Sequence, residues 1–509
     1  MINSLIKFII ISLIVFTPIA FGSVELWAFS LMELGILLIL ILWAIQNLIR
    51  PAPRRVQGSP EFSVVRGGSP ESYVVQGALR TPRLPEYLYG GQANFTFPIL
   101  FLSLFLLLVL SQMVPLPSGL LKIVSPKTFE LRNSLSALGS QLSTPHSKFQ
   151  ISFVPFLTQI EFFKWLTLSG FFFFLLYWRR SNQEVIPLLM PVLILVGIGE
   201  SLYGMFEFFS GHKYILHLNM GAEIGSVTGT FINRNYLAGY LLMVIPLSVG
   251  FLFSREALPE GRYGGWRHQL ASLDGKTLLI GFSVIVMILG LLFTASRMGI
   301  ASLLLSFSLI IFLFRSPQEK RRFSKSSILI LGLAILWAAW IGLDTVISRF
   351  FISSEDLMMR WNIWVDTFQM IKDFPLLGSG LGAFVQVFPL YRSFHVRGLV
   401  THSENDFLQL ISEVGILGTG FLAILFFFLL LRAISGIRAL SDREPGRYIA
   451  MGGLVGILAL MFHSMVERNI QVPANAFLYT MLWAIVLRIS HPKKGDIDIN
   501  DLMRNYERN

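Results

Sequence analysis

Apolar runs about twenty residues long, each the length of one bilayer crossing, recur along this sequence and leave few folds open to it. Read as helices, they place spans near 5–21, 27–49, 97–113, 157–178, 184–206, 230–253, 277–295, 298–314, 327–346, 408–431, 448–467 and 474–490. That makes about twelve transmembrane helices. Composition agrees, because 54% of the 509 residues are hydrophobic and only 14% are charged, too few charges to coat a soluble protein of this length. The run from Leu5 to Phe21 has a thin basic flank and no clear small-x-small cleavage site, so it is read as the first span rather than a signal peptide. The expected fold is an all-α membrane protein. Helices 1–9 fall within residues 1–346, a large loop fills 347–407, helices 10–12 occupy 408–490 and a tail follows at 491–509.

The formal net charge of +11 would suggest nucleic acid in a soluble domain. In a membrane protein, Lys and Arg instead collect in cytoplasmic loops. With a cytoplasmic N-terminus, the basic clusters at 50–83, 179–180, 255–276, 315–325, 432–447 and 493–494 all fall on one side. Both termini are therefore expected in the cytoplasm, and nucleic acid is not an expected partner. The chain has no cysteine, which excludes disulfides, thiolate nucleophiles and Cys-based zinc sites.

Three connections are long. Residues 50–94 carry the near-repeat Gly58-Ser59-Pro60-Glu61 and Gly68-Ser69-Pro70-Glu71 in a Gly/Ser/Pro-rich setting that reads as a flexible cytoplasmic linker. Residues 114–156 lie on the outward side and are mixed in character, with Pro115 and Pro117 ending the third helix. Residues 347–407 form the largest outward loop, aromatic enough to fold. In it Trp361, Trp364, Phe368 and Ile371 recur at helical spacing among Arg360, Asp366 and Lys372, as in an amphipathic helix lying at a membrane surface. Pro375 ends this helix, and Ser403 and Asp406 mark the start of the tenth span, with His402 beside its N-terminus.

Candidate chemistry rests on charges that do nothing for orientation. Arg234 opens the sixth span at its outer end, Arg297 sits at the outer junction of the seventh and eighth, and Arg360 lies in the large loop. An Arg at mid-helix costs about 2.5–3.5 kcal/mol on insertion scales, less near the interface, so it needs a partner. A snorkelling Arg bonded to headgroups, or to a carboxylate such as Glu207, accounts for any one of them as well as function does. Three together favour an anionic ligand. Guanidinium forks match phosphate oxygens, so converging Args can hold a diphosphate without metal. Asn233 and Asn235 flank Arg234 and join it as candidate substrate contacts. His402, with an ordinary pKa of about 6.5 further opposed by a helix N-terminus, is the candidate base; a capping or interfacial His is the plain alternative. Asn405, Asp406 and Gln409 extend a polar face from it. His463 reads equally well as a helix–helix hydrogen bond. Asp496-Ile497-Asp498 reads as a solvated tail, and no metal or cofactor is expected.

These segments, taken together, resemble the O-antigen ligase and O-antigen polymerase superfamily. The resemblance lies in FGSVELWA, SQMVPLP, GTFINRNYLAGY, TASRMG, MRWNIW with FPLLGSGLGAF, THSENDFLQLISEVGILG and HSMVERNIQVPANAF, whose order along the spans covers most of the chain. It implies a GT-C-like glycosyltransferase of a bacterial inner membrane, with a large periplasmic loop over the active site. The donor would be a polyprenyl-diphosphate-linked glycan and the acceptor a hydroxyl of a glycolipid, glycan or protein. Arg297, Arg360 and His402 match the family's functional Arg, Arg and His positions, whereas Arg234 enters on topology and charge alone. Many ligases have Asn directly after this His; here the order is His402-Ser403-Glu404-Asn405. Ligation to lipid A core, polymerisation and transfer to protein share the scaffold and stay open as alternatives. A transporter or flippase of a lipid-linked or acidic solute is the alternative of another class, against which stands the lack of paired broken helices in two halves.

Overall fold

The computed structural model describes residues 2–49, 96–138, 148–178, 185–211, 213–220, 225–256, 275–313, 332, 336, 354–395, 398–442 and 444–491. The linker at 50–94, the span at 327–346 apart from Gly332 and Leu336, and the tail beyond 491 lie outside the described residues. The apolar runs become α1 (Ile2–Ile19), α2 (Leu26–Ile49), α3 (Thr96–Met113), α6 (Pro155–Tyr177), α7 (Val185–Ser210), α8 (Arg234–Glu256), α9 (Gly275–Phe293), α10 (Arg297–Leu313), α13 (Asp406–Ala439), α14 (Pro445–His463) and α15 (Pro473–Ser490). Between them stand the shorter α4 (Ser118–Val124), α5 (Pro126–Leu138), α11 (Ser354–Asp373) and α12 (Phe384–Val387). Sheet is confined, among the described residues, to two antiparallel pairs, Leu116–Pro117 with Lys148–Phe149 and Tyr214–Ile215 with Leu218–Asn219.

The architecture is the expected all-α membrane fold. Nine helices among the described residues are long and apolar enough to cross a bilayer, against about twelve expected from run length. The apolar stretch of α10 is shorter, Arg297–Ile310. α15 carries Asn475, Thr480 and Arg488 but is buried along nearly its whole length, and a helix surrounded by other helices need not match lipid in polarity. Residues 237–254 of α8 are all buried. α14 lies so close to it that a Cβ on Gly250 would stand 2.3 Å from the Tyr448 carbonyl oxygen, and one on Gly452 2.3 Å from that of Pro246. Small residues here let two backbones touch, the usual basis of helix association where lipid removes the hydrophobic drive.

One end of this bundle is elaborated. α1 turns into α2 through a 3-10 turn at Phe21–Ser23, and the segment before α8 is pinned under it: the Thr230 amide donates to Glu200 Oε2 at 2.8 Å, and Thr230 Oγ1 donates to the Pro18 carbonyl at 2.8 Å. Above this end, α11, residues 383–394 and Val400 enclose a small apolar core of their own, with Ile363, Met370, Phe374, Phe384, Val387 and Phe388. The helix expected around Trp361 forms, with Trp361 (63%) and Phe368 (53%) exposed on one side. Asp366 departs from the expected pattern. Rather than lying among surface charges it is 3% exposed and accepts from the Ser393 amide at 2.7 Å and its hydroxyl at 2.9 Å.

α13 breaks at Gly415 (φ 67°, ψ −174°), an interruption that the apolar string VGILG does not betray. Backbone groups freed at a break need partners where water is scarce. Here the carbonyls of Ser412 and Glu413 accept from the amides of Ser379 and Gly380, each at 3.0 Å, and the Ile416 amide donates to the Pro375 carbonyl at 2.8 Å. Gln112 at the end of α3 completes the exchange, donating to the carbonyls of Leu377 (2.6 Å) and Glu413 (2.9 Å) and accepting from the Leu381 amide (3.0 Å). A Cβ at position 415 would stand 2.2 Å from the Leu376 carbonyl oxygen. Gly415→Ala is therefore expected to cost more than the roughly 1–3 kcal/mol of backbone strain alone, read as a lower unfolding temperature of the purified protein.

Candidate functional site

Four separated stretches meet at the elaborated end: the start of α8, the α9–α10 junction, the segment leading into α13, and the turn between α14 and α15. The last of these, residues 464–472, holds the others. Asp406, in the first turn of α13, accepts through Oδ2 from the amides of Asn469 (2.8 Å) and Ile470 (2.7 Å). α11 reaches down onto both neighbours from one face. Trp364 Nε1 donates to the Ser403 carbonyl at 3.0 Å, and Arg360, one turn earlier, donates through Nη1 to Glu467 Oε1 at 2.6 Å and to the Val466 carbonyl at 3.0 Å.

Glu467 is the centre of the first half of the site. Its other oxygen accepts from Asn235 Nδ2 at 2.6 Å. Burial pushes its carboxyl up to about 7, against the pull of Arg360 and, more weakly, of Arg234. So the partner of an outward Arg, sought at Glu207, is Glu467 in the case of Arg360. Arg468, the next residue, defines the second half. Its Nη1 is hydrogen bonded to His402 Nε2 and lies 3.5 Å from the Tyr236 hydroxyl. Burial, and after it the charge of Arg468, holds the His402 imidazole down to about 3, while nearby Gln409 works the other way. The ring is neutral, as expected, but burial and a guanidinium dominate where a helix N-terminus was invoked. A further positive field reaches His402 from Lys164 on α6, which is paired with Glu161 at 2.5 Å. Burial raises the Glu404 carboxyl, and the charges of Arg360 and Arg468 both lower it.

The other expected residues fall in and around this cluster. His463 is fully buried; Asn469 Nδ2 donates to its Nδ1 at 3.0 Å, so the neutral ring carries its proton on Nε2, 3.3 Å from Ser296 Oγ. Arg297 is the first residue of α10, one position after that serine, and Arg234 is the first residue of α8. Asn233 accepts from the Asn235 amide at 2.8 Å, and Asn405 from the amides of Phe407 and Leu408 at 3.0 Å. Both oxygens are thus spent on starting helices. The cap of α13 is Asn405 rather than Ser403 or Asp406, because Asp406 turns away to the 469–470 amides.

Within this arrangement one guanidinium, that of Arg468, lies against the His402 imidazole, and a second, that of Arg360, is bound to Glu467, the residue before Arg468, among partly buried groups where charge is weakly screened. Residues 282–423 match the family model described as O-antigen ligase. This segment is similar to the O-antigen ligase family. It contains Arg297, Arg360, His402 and Asn405, while Arg234, Asn235, His463, Glu467 and Arg468 lie outside the match and are brought to it by the fold. No curated protein matches the chain. The sequence reading overlooked Glu467, Arg468 and Lys164. The signal was present for Arg468: it too is a cation on the outward side of a short connection, where it contributes nothing to orientation.

Proposed function

We propose that the protein transfers a glycan from a polyprenyl diphosphate to an acceptor hydroxyl at the periplasmic face of the bacterial inner membrane, with both termini in the cytoplasm. The supporting observation is that the adjacent residues Glu467 and Arg468 tie Arg360 to His402, bringing together charge for a leaving diphosphate and a neutral imidazole for the attacking hydroxyl. Arg360 and Arg297 stabilise negative charge growing on the diphosphate. His402 accepts the hydroxyl proton as the oxygen attacks the anomeric carbon from the side opposite the leaving group, inverting that centre. Arg234 and Asn235 line the donor pocket from α8, on the far side of Glu467. The direct test is reconstitution with a polyprenyl-diphosphate-linked glycan and a glycolipid, glycan or protein acceptor. Release of polyprenyl diphosphate with a new glycosidic bond is the expected result, and an intact donor across all three acceptors would defeat the reading. In cells, loss of long glycans from the lipid A core on deletion would mark a ligase, and accumulation of single repeat units there a polymerase.

Glu467 gives this reading a pH signature. Its carboxylate competes with a phosphate for Arg360, and protonation through a pKa of about 7 removes the competitor. Inhibition by inorganic diphosphate should therefore tighten as pH falls through that value. The ligand titrates too, so the comparison is with Glu467→Gln, in which the extra tightening should vanish.

A further inference from the structure

His402 meets the rest of the site with its reactive nitrogen already engaged. Arg468 Nη1 is hydrogen bonded to Nε2, and a guanidinium is always protonated and has no acceptor. The imidazole nitrogen must therefore be the acceptor, with its lone pair aimed at Arg468 and not at a hydroxyl. A second observation shows that Arg468 keeps bonding capacity unspent: its Nε is buried with no hydrogen-bond partner. Arg360, on the other flank of Glu467, is by contrast held by a carboxylate and a carbonyl. The two Args reach the site from different elements, α11 and the turn between α14 and α15, and the weaker anchor belongs to the one over His402.

We propose that Arg468 is a donor-operated cover of His402: the diphosphate of the glycan donor draws the guanidinium away and uncovers Nε2 for the acceptor hydroxyl. The inference rests on the transferase reading above. A phosphate offers two charged oxygens in the geometry of the guanidinium fork, a better acceptor than one neutral ring nitrogen. In the transfer step the hydroxyl oxygen bonds the anomeric carbon, and the bond from that carbon to the phosphate oxygen breaks with its electron pair on the diphosphate. The hydroxyl proton passes to Nε2. The displaced guanidinium is then paired with the charge that appears on the leaving group, and is no longer beside the imidazole, where it would oppose protonation. Tyr236, whose hydroxyl lies near Arg468, and Glu404, whose carboxyl feels its charge, are the groups between which it moves. Lys164 and Gln409 remain around the ring in either position.

Carbethoxylation of neutral imidazole reads the cover directly, with mass spectrometry resolving the peptide that contains His402 and the exposed His395 as internal reference. In the full-length protein, inorganic diphosphate is expected to speed modification of His402 relative to His395 by about fivefold or more, the scale of one lost hydrogen bond. Arg468→Gln should react fast without diphosphate and gain nothing from it, and its donor KM should rise about tenfold, the scale of a charged hydrogen bond. Unfolding temperature reports whether the variant is folded, and Arg468→Lys, which keeps the charge, should fall between the two. If diphosphate slows or does not change the reaction of wild-type His402, or if a folded Arg468→Gln reacts as slowly as wild type, the cover is refuted. His402→Ala separates the two readings. Unchanged transfer in that variant removes the role of the base, whereas lost transfer with unaltered His402 reactivity in Arg468→Gln removes only the cover.

Discussion

His402→Ala is expected to lower the rate of glycan transfer by about 10²–10⁴-fold, the usual contribution of a positioned general base, with donor KM nearly unchanged. The split follows from the geometry. In the proposed mechanism His402 takes the acceptor proton, while the guanidinium groups of Arg360 and Arg468, bonded to Glu467 and His402 in this structure, meet the anionic end of the donor. The variant should still fold, because the loop around it is held by other bonds: Trp364 to the Ser403 carbonyl, the Ser403 amide to Gln409 Oε1 at 3.2 Å, and the Ser403 hydroxyl to the Asn405 carbonyl at 2.7 Å. His402→Gln should be equally inactive, since an amide oxygen keeps the hydrogen bond but cannot carry the proton. Wild-type kcat in either variant, measured on reconstituted protein, would leave transfer without its proposed base.

Much of the fold was legible because lipid imposes a simple rule: twenty apolar residues in a row give a helix whatever packs against it. Helix starts and breaks were less so. Gly415 interrupts α13 only because residues 375–380 come to lie along it, a partner nearly forty positions upstream that no local pattern announces. The site divided in the same way. His402, Arg297 and Arg360 stood out as polar residues on the side where orientation needs none. Glu467 did not, since a lone acidic residue in a short connection acquires its meaning from Asn235 and Arg360, which are far from it in sequence. The segment 114–156 had no readable role. Part of it now supports the large loop: the Phe153 amide donates to the Ser379 carbonyl at 3.1 Å, and the Phe153 ring meets Phe374 edge-on.

Arg360→Ala should lower transfer by about 10²–10³-fold, as for loss of one group that stabilises charge in the transition state. The same substitution strips Glu467 of its counter-ion, so instability could imitate a catalytic defect. Breaking a buried ion pair costs about 3–5 kcal/mol, and the figure belongs at the low end here because the Arg360 side chain keeps 25% exposure while Glu467 keeps 7%. The sign of the pH dependence separates the two effects. Arg360 lowers the Glu467 pKa, so without it the folded-state value rises further above that of an unfolded glutamate. A group raised in this way leaves stability intact at low pH and removes it as pH climbs through the folded-state value. The deficit in unfolding temperature of Arg360→Ala should accordingly be small in acid and grow above neutrality. Adding Glu467→Gln removes the uncompensated carboxylate while its amide oxygen can still accept from Asn235. The double variant should regain the lost stability at high pH and remain as inactive as Arg360→Ala. Recovery of transfer together with stability would mean that Arg360 serves only to neutralise Glu467, and the leaving diphosphate would have to be stabilised by other groups.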